Sequence, residues 1–600
     1  MTPDDVLREA ERLFAAGDPL AAERQLAALW SDTARAPAAA LNLLGRIRRA
    51  QNRIPDAERY FRRAIAAEPK AARHHAALGE LVALVGLHGH AADAFAQALA
   101  LAPDDNTLRR AFIRSALEAR RFADAEVAAQ ALAAADVSAG AWELLARVLR
   151  AQDKLEEALA AAERAVAADA SDVAAIHTRA TILARLGRND EALTALEALR
   201  ARGVEAPALT FSLGTTLFNL TRAADAEAAF AQGAARWPTD ANLHNALANA
   251  RWMRGAGPAF TQDYEAAVAR APDNTQLRIG CADLLRRADF RDRAEALLRD
   301  GLARAPEDIA LMQSLGVLLD EMDRTGEGLP LLQRAAQRAP HITQIRANLA
   351  NALLRLNRSA EALAEIEPAR KAEPLNQEWI TYETMALRQL GHPRYRELCD
   401  YERMVRPYDL DPPAGFADLN AFNAALADSL ARLHVLEAHP LDQSLRGGSQ
   451  TSRSLLHVDD PVIQAYLKAL AGPIHAYIDA MGPPDPNHPW SGRKTSGFRF
   501  TGAWSVRLKA NGYHINHVHP AGWISSAYYV ALPPVVADAD GQQGWIKFGE
   551  PRWPTPGCGV EKVVQPKAGR LVLFPSYMWH GTIPFSSGER LTAPFDAVPA

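Results

Sequence analysis

The sequence runs to 600 residues, 48% of them hydrophobic and 23% charged, with a net charge of −4. It is too long for a single core at roughly 100–200 residues per domain and too apolar for wholesale disorder. It is also too near neutrality to carry the global basic field that nucleic acid or an anionic membrane would call for.

The chain opens with Met-Thr-Pro-Asp-Asp, an acidic start that leads into an amphipathic pattern rather than a basic segment followed by an apolar one. No apolar run reaches the ~18–20 residues needed to span a bilayer. The three cysteines, Cys281, Cys399 and Cys558, are too scattered for a CxxC metal knuckle or a disulfide framework. A reducing, cytoplasmic setting is the expectation.

A repeat comes next. Pro69 and Pro103 lie 34 residues apart, and Pro238, Pro272, Pro306, Pro340 and Pro374 follow one another at the same interval. Between Pro103 and Pro238 the punctuation is degenerate, around Asp136, Ser171 and Gly203, but the span fits four periods less one residue. Small residues stand five positions before the prolines, at Ala64, Ala98, Gly233, Ala267, Gly301, Ala335 and Ala369. Each period holds two apolar stretches at helical spacing, as in AAALNLLGRIRRAQ followed by IPDAERYFRRAIAAEP. Small residues let paired helices approach closely, and the proline stops the second helix and opens the next unit. The pattern resembles the tetratricopeptide repeat over about residues 4–395, roughly ten to eleven repeats. The resemblance implies an all-α superhelix as a first domain, 1–395, whose concave face binds a protein or peptide partner.

Past residue 395 the alanine-rich register stops. RPYDLDPPAGFADLNAF, from Arg406, reads as a linker or a first strand. Two helices are expected near Asp418–Ala438 and Pro461–Met481, with Asp418 as an N-cap and Pro461 in an opening turn. The stretch HPLDQSLRGGSQT between them reads either as a lid or as a self-satisfied loop. From Lys494 the pattern is that of short strands, in GFRFTGAWSVRL, GWISSAYYVALP, GWIKFG, GRLVLFP and RLTAPFD. A second domain, 396–600, is therefore expected to be α+β with a sandwich or jelly-roll core.

Its histidines carry the chemistry. His517 and His519 sit in NGYHINHVHPAGW, and residues two apart on a strand share a face, so both imidazoles can reach one ion. His514 is of opposite parity. His580 lies 61 residues beyond His519, at the end of another strand. Two ligands on one strand and a distant third make a facial metal site, although imidazoles suit iron, zinc, copper or nickel alike. The bland alternative is a pair of surface histidines beside a Pro-Gly turn. Arg590 follows His580 by ten residues. It is either a guanidinium waiting in a β-cavity for a carboxylate or an ordinary arginine after the Ser-Ser-Gly turn. Trp504, Trp523, Trp545 and Trp579 read as core or pocket wall, and Cys558 as a loop cysteine.

The ordered segments HPLDQSLRGGSQTS, WSVRLKANGYHINHVHPAGWISSAYYVALP, GRLVLFPSYMWHGTIPF and GERLTAPFD resemble a family of bacterial 2-oxoglutarate- and iron(II)-dependent oxygenases, over roughly residues 395–600. The resemblance implies a double-stranded β-helix that uses Fe(II), 2-oxoglutarate and dioxygen, and a reaction that couples oxidative decarboxylation to hydroxylation of a C–H bond. It makes His517 the first ligand, His580 the distal ligand and Arg590 the clamp for the cosubstrate's distal carboxylate. Tyr528 stands where a hydroxyl often meets that carboxylate, and Arg507 where another cosubstrate-binding residue stands. His519 replaces the usual Asp or Glu, which makes the site one unit more positive and should alter its redox potential and metal preference. Two other functions compete. One is a tetratricopeptide adaptor with a degenerate oxygenase-like module, and the other is a three-histidine metal dioxygenase that does not use 2-oxoglutarate.

Overall fold

The computed structural model describes every residue except 1, 436–438, 442 and 452–453. The first two-thirds is built of helix pairs, such as Ala38–Ala50 with Ile54–Ala67, then Ala72–Leu84 with His88–Leu101. From Ala38 onward the chain turns after the first helix of each pair on one residue of positive φ: Asn52, Gly86, Arg120, Asp153, Gly187, Thr221, Gly255, Asp289, Asp323, Asn357 and Gly391. A single left-handed residue there satisfies the last carbonyls of the first helix and redirects the chain. These turns keep the 34-residue period, except that Arg120 and Asp153 are one residue closer. The residue missing from the proline ladder is therefore lost between those two turns.

Where the ladder lacks proline, aspartate makes the turn at two places and Gly203, at positive φ, makes it at the third. Ser138 donates its backbone N–H to Asp136 Oδ1 (3.0 Å), and Ser171 donates to Asp169 Oδ1 (2.8 Å). An Asx turn of this kind breaks a helix as effectively as a missing N–H. The small residues before the turns are all buried, as close helix approach requires. Gly45 and Gly214 show how close that approach is, since a Cβ there would lie 2.5 Å from the Phe61 ring and 2.3 Å from the Phe230 ring.

Compactness divides the chain into Met1–Val204 and Glu205–Ala600. The first unit consists of helix pairs, ending with Asn189–Ala201. The second joins the later pairs, from Pro207–Asn219 to Gln377–Gln389, to the C-terminal strands. This cut differs from the change of composition at 395/396 because the later repeats are bonded to the β-domain. Arg388 donates to the carbonyls of Gly549 (2.8 Å) and Gly559 (2.9 Å) and pairs with Glu561 (3.1 Å). Gln389 donates to the Pro556 carbonyl (2.8 Å), and the Thr381 hydroxyl to that of Tyr577 (2.8 Å).

The C-terminal domain is an antiparallel jelly roll. Its strands are β1 (Arg406–Asp409), β2 (Leu445–Gln450), β3 (Phe498–Ala503), β4 (Val506–His514), β5 (Ile524–Ala531), β6 (Ile546–Phe548), β7 (Lys562–Val564), β8 (Arg570–Pro575), β9 (His580–Thr582), β10 (Arg590–Thr592) and β11 (Phe595–Pro599). The larger sheet runs β1-β8-β5-β10-β4-β2, with β11 pairing β3 and β5, and the smaller runs β7-β6-β9. The proline-punctuated segment from Arg406 thus supplies a first strand. The helix expected from Asp418 runs Leu419–Ala431, and Asp418 accepts the Ala421 N–H (2.8 Å). Its expected end at Ala438 lies outside the described residues.

The helix expected over Pro461–Met481 is two helices, Pro461–Ala469 and Ala471–Asp479. The break puts Pro473 in a first turn, where its missing N–H has no helical partner to lose. The stretch expected as a lid or loop contains β2, hydrogen-bonded along β4; its Asp442 lies outside the described residues, as does the Ser452 that follows it.

Candidate metal centre

Beyond β4 the chain bends at Asn516 and leaves the ladder. His517 forms one antiparallel bridge with His580, the first residue of β9. The His517 N–H donates to the His580 carbonyl (2.9 Å), and the His580 N–H to the His517 carbonyl (3.1 Å). The His519 N–H is anchored on the Ser576 carbonyl (2.9 Å). These backbone bonds bring three rings together, with centroids 4.2 Å apart for His517 and His580, 5.1 Å for His517 and His519, and 5.2 Å for His519 and His580. One ring nitrogen from each lies within 4.8 Å of the others.

The protonation of these rings is fixed from behind. His517 Nδ1 lies 2.8 Å from the Ile515 carbonyl and His580 Nδ1 lies 2.9 Å from the Met578 carbonyl. A carbonyl oxygen only accepts, so both Nδ1 atoms carry the proton and both Nε2 atoms keep a lone pair, with the Ser444 hydroxyl 3.3 Å from His517 Nε2. His519 Nδ1 donates to Asp596 Oδ2 (2.6 Å). Asp596 Oδ1 in turn accepts from the Ser525 hydroxyl (2.7 Å). This arrangement of carbonyl, carboxylate and carbonyl behind three imidazoles is what holds histidines to a metal ion. Burial drives His517 down to about 3 and His580 well below its ordinary value, with the neighbouring imidazoles adding to the effect. Both are therefore neutral donors at pH 7.

The same cavity, of about 550 Å³, contains Arg590. The Arg590 side chain is only 2% exposed, its Nε has no hydrogen-bond partner, and its guanidinium lies 5.0 Å over the Tyr529 ring. Burial lowers its pKa, and among the described residues no carboxylate pairs with it. A buried guanidinium in this condition is costly unless an anion joins it. The donor set therefore fits a divalent metal ion, and Arg590 fits the carboxylate of a chelating diacid.

Tyr528 and Arg507 lie elsewhere. The Tyr528 hydroxyl donates to Asn423 Oδ1 (2.7 Å), and its ring packs on Tyr466 (5.0 Å), on the helix side of β5. Tyr529, one residue on, is the tyrosine that meets Arg590, because successive side chains of a strand face opposite ways. Arg507 pairs with Leu591 in the ladder while Arg590 pairs with Leu508, so the two arginines occupy opposite faces of the sheet. His514 lines the cavity, but its Nδ1 is engaged with the Ser444 hydroxyl (2.9 Å). Trp504 stacks on His519 (6.1 Å) and lines the cavity, while Trp523 is buried core. Cys558 lies in the loop between β6 and β7, as expected, and is buried there against repeat residues. Asp596 escaped the sequence reading, for nothing local in APFD connects it to a histidine 77 residues earlier.

A family model described as "Putative 2OG-Fe(II) oxygenase" matches residues 502–596, a span that includes all three histidines, Arg590 and Asp596. Tetratricopeptide repeat models match residues 42–106, 110–173, 177–226, 211–275 and 321–381. Similar solved structures include a tetratricopeptide repeat protein from Parabacteroides merdae, 16% identical over 41% of this chain and 97% of its own, with a TM-score of 0.36. They also include the human IFIT1 dimer with PPP-AAAA, 13% identical over 55% of this chain and 81% of its own, with a TM-score of 0.33. No curated protein matches the chain. Among the described residues no helix is long and apolar enough to cross a membrane. Repeat period, jelly-roll topology and family match agree: this chain is a tetratricopeptide repeat array followed by a domain that matches the 2OG-Fe(II) oxygenase family.

Proposed function

We propose that the C-terminal domain is an iron(II)- and 2-oxoglutarate-dependent hydroxylase, and that the repeats present it with a polypeptide substrate. The observation that carries this reading is the pairing of three clustered imidazole donors with a buried Arg590 that has no carboxylate partner among the described residues, in one cavity. His517, His519 and His580 would hold the ion. When bound, the ion supplies activation of dioxygen and oxidation of 2-oxoglutarate to succinate and carbon dioxide. Arg590 binds the distal carboxylate of the cosubstrate, and Tyr529 supports the guanidinium from below. Asp596 orients His519 and places a negative charge one hydrogen bond behind the ring, where it offsets the lack of a ligand carboxylate. Trp504 covers the face of His519 and keeps water off it.

Anaerobic Fe(II) and 2-oxoglutarate added to the full chain should give the weak visible charge-transfer band of this enzyme class. His580→Ala should abolish it, and Arg590→Met should weaken it. Metal binding with no effect of 2-oxoglutarate would mean a three-histidine dioxygenase instead. Failure to bind either would leave an adaptor with a non-catalytic module. Succinate release from peptide pools, with the His580 variant as control, measures turnover.

A further inference from the structure

The cavity that contains the histidines is not enclosed by the jelly roll alone. The first helix of one repeat, Thr275–Arg287, ends beside it, and the first helix of the next, Ile309–Glu321, ends beside an adjoining cavity. The cavity shares Arg286, Arg287, Arg446 and Arg552 with a second one of about 800 Å³. Five arginines line the histidine cavity, and the single described carboxylate residue there, Asp596, is already held by His519 and Ser525.

These arginines are not equivalent. Arg286 is neutralised by Glu321 and by Asp283 (2.6 Å), and Arg287 shares Asp283 (2.8 Å). Arg590 belongs to the cosubstrate in the reading above. Among the described residues Arg446 donates to backbone, to the carbonyls of Gln443 (2.9 Å) and Leu445 (2.7 Å). Arg552 lies 5.0 Å over the Trp553 ring. Among the described residues neither Arg446 nor Arg552 has a carboxylate partner. The second cavity also has carboxylates, Asp289, Glu321 and Glu550, but these pair with Arg291, Arg286 and Lys547, so Arg446 and Arg552 keep an excess of positive charge that a bound anion offsets. The joined cavities exceed what a cosubstrate of a few carbons fills, since ~300–1,000 Å³ already houses a drug-sized ligand.

We propose that the substrate is an acidic polypeptide segment whose carboxylate or phosphate is held by Arg446 and Arg552 at the wall between the two cavities. The inference rests on the hydroxylase reading for what happens to that segment, but not for its binding. Arginine suits this task because its fork meets either oxyanion bidentately.

The test is fluorescence anisotropy of the full chain with labelled short peptides of one glycine–alanine–serine frame bearing glutamates, phosphoserines or lysines. The glutamate or phosphoserine peptide should bind at least about tenfold more tightly than the lysine peptide, and more weakly as salt rises. The arm that binds better identifies the anion. The double variant Arg446→Gln/Arg552→Gln should lose that preference while keeping the Fe(II)–2-oxoglutarate band. Equal binding of all peptides, an undiminished preference in the double variant, or loss of the band in it would overturn the proposal. Acidic-peptide binding without any band in the parent chain would instead sink the hydroxylase reading and leave this one standing.

Discussion

Asp596→Asn is the sharpest perturbation of the centre. The carboxylate accepts two hydrogen bonds, from His519 Nδ1 at 2.6 Å and Ser525 Oγ at 2.7 Å. Asparagine keeps the shape and can still accept from His519, but it removes the charge. A hydrogen bond to a charged group contributes about 1.5–3 kcal/mol against about 0.5–1.5 for a neutral one. The substitution should therefore cost about 1–2 kcal/mol of support for His519 as a donor, or roughly 5–30-fold in metal affinity, near the lower part of the range seen for partners behind metal-bound histidines. Anaerobic Co(II) titration, followed by its visible bands, measures this directly, with thermal unfolding of the metal-free protein as a control for folding. If Asp596→Asn binds metal as tightly as the parent chain while His580→Ala does not bind, His519 is not a ligand and the three-histidine centre is wrong.

Further outcomes follow from other parts of the molecule. Arg590→Met should weaken 2-oxoglutarate binding at least about 100-fold yet leave the thermal midpoint unchanged or raised, because it removes a buried unpaired charge; a lower midpoint with intact cosubstrate affinity would make Arg590 a structural residue. Gly214→Ala should destabilise the chain by about 1–2 kcal/mol in urea unfolding, the clash with Phe230 outweighing the ~1 kcal/mol that alanine gains in a helix. Gly326→Ala, with nothing within 4 Å of its Cβ, should instead be neutral or stabilising. His434 is buried between the Ser449 (2.9 Å) and Ser505 (3.0 Å) hydroxyls. Burial, helped by Arg507, pushes it down to about 4. Its folded pKa lies below its unfolded one, so the stabilisation is present above about pH 6.5 and is lost as pH falls toward 4, on the order of 3 kcal/mol. His434→Gln should flatten that part of the stability profile, and an unchanged slope would contradict it.

The repeat array was legible because its signals are local. A proline or Asx turn, a small residue five positions earlier and a positive-φ residue between helices each act within one 34-residue unit and repeat along the chain. The break in register at 395 and the short strands after Lys494 were equally local. The histidines were legible as a set from the two-residue spacing of His517 and His519 and the distant third, although β4 ends at His514 and His580 begins a strand rather than ending one. Tertiary structure alone decided the rest. Tyr529 rather than Tyr528 faces Arg590, and Arg507 faces away, because strand register, not residue type, selects the face. Asp596 reaches His519 only because β11 pairs with β5, which brings residues 77 positions apart into contact. The arginine-lined wall likewise exists only because the ends of repeat helices are packed against the loops around β2 and β6, a juxtaposition of distant segments that no sequence period encodes.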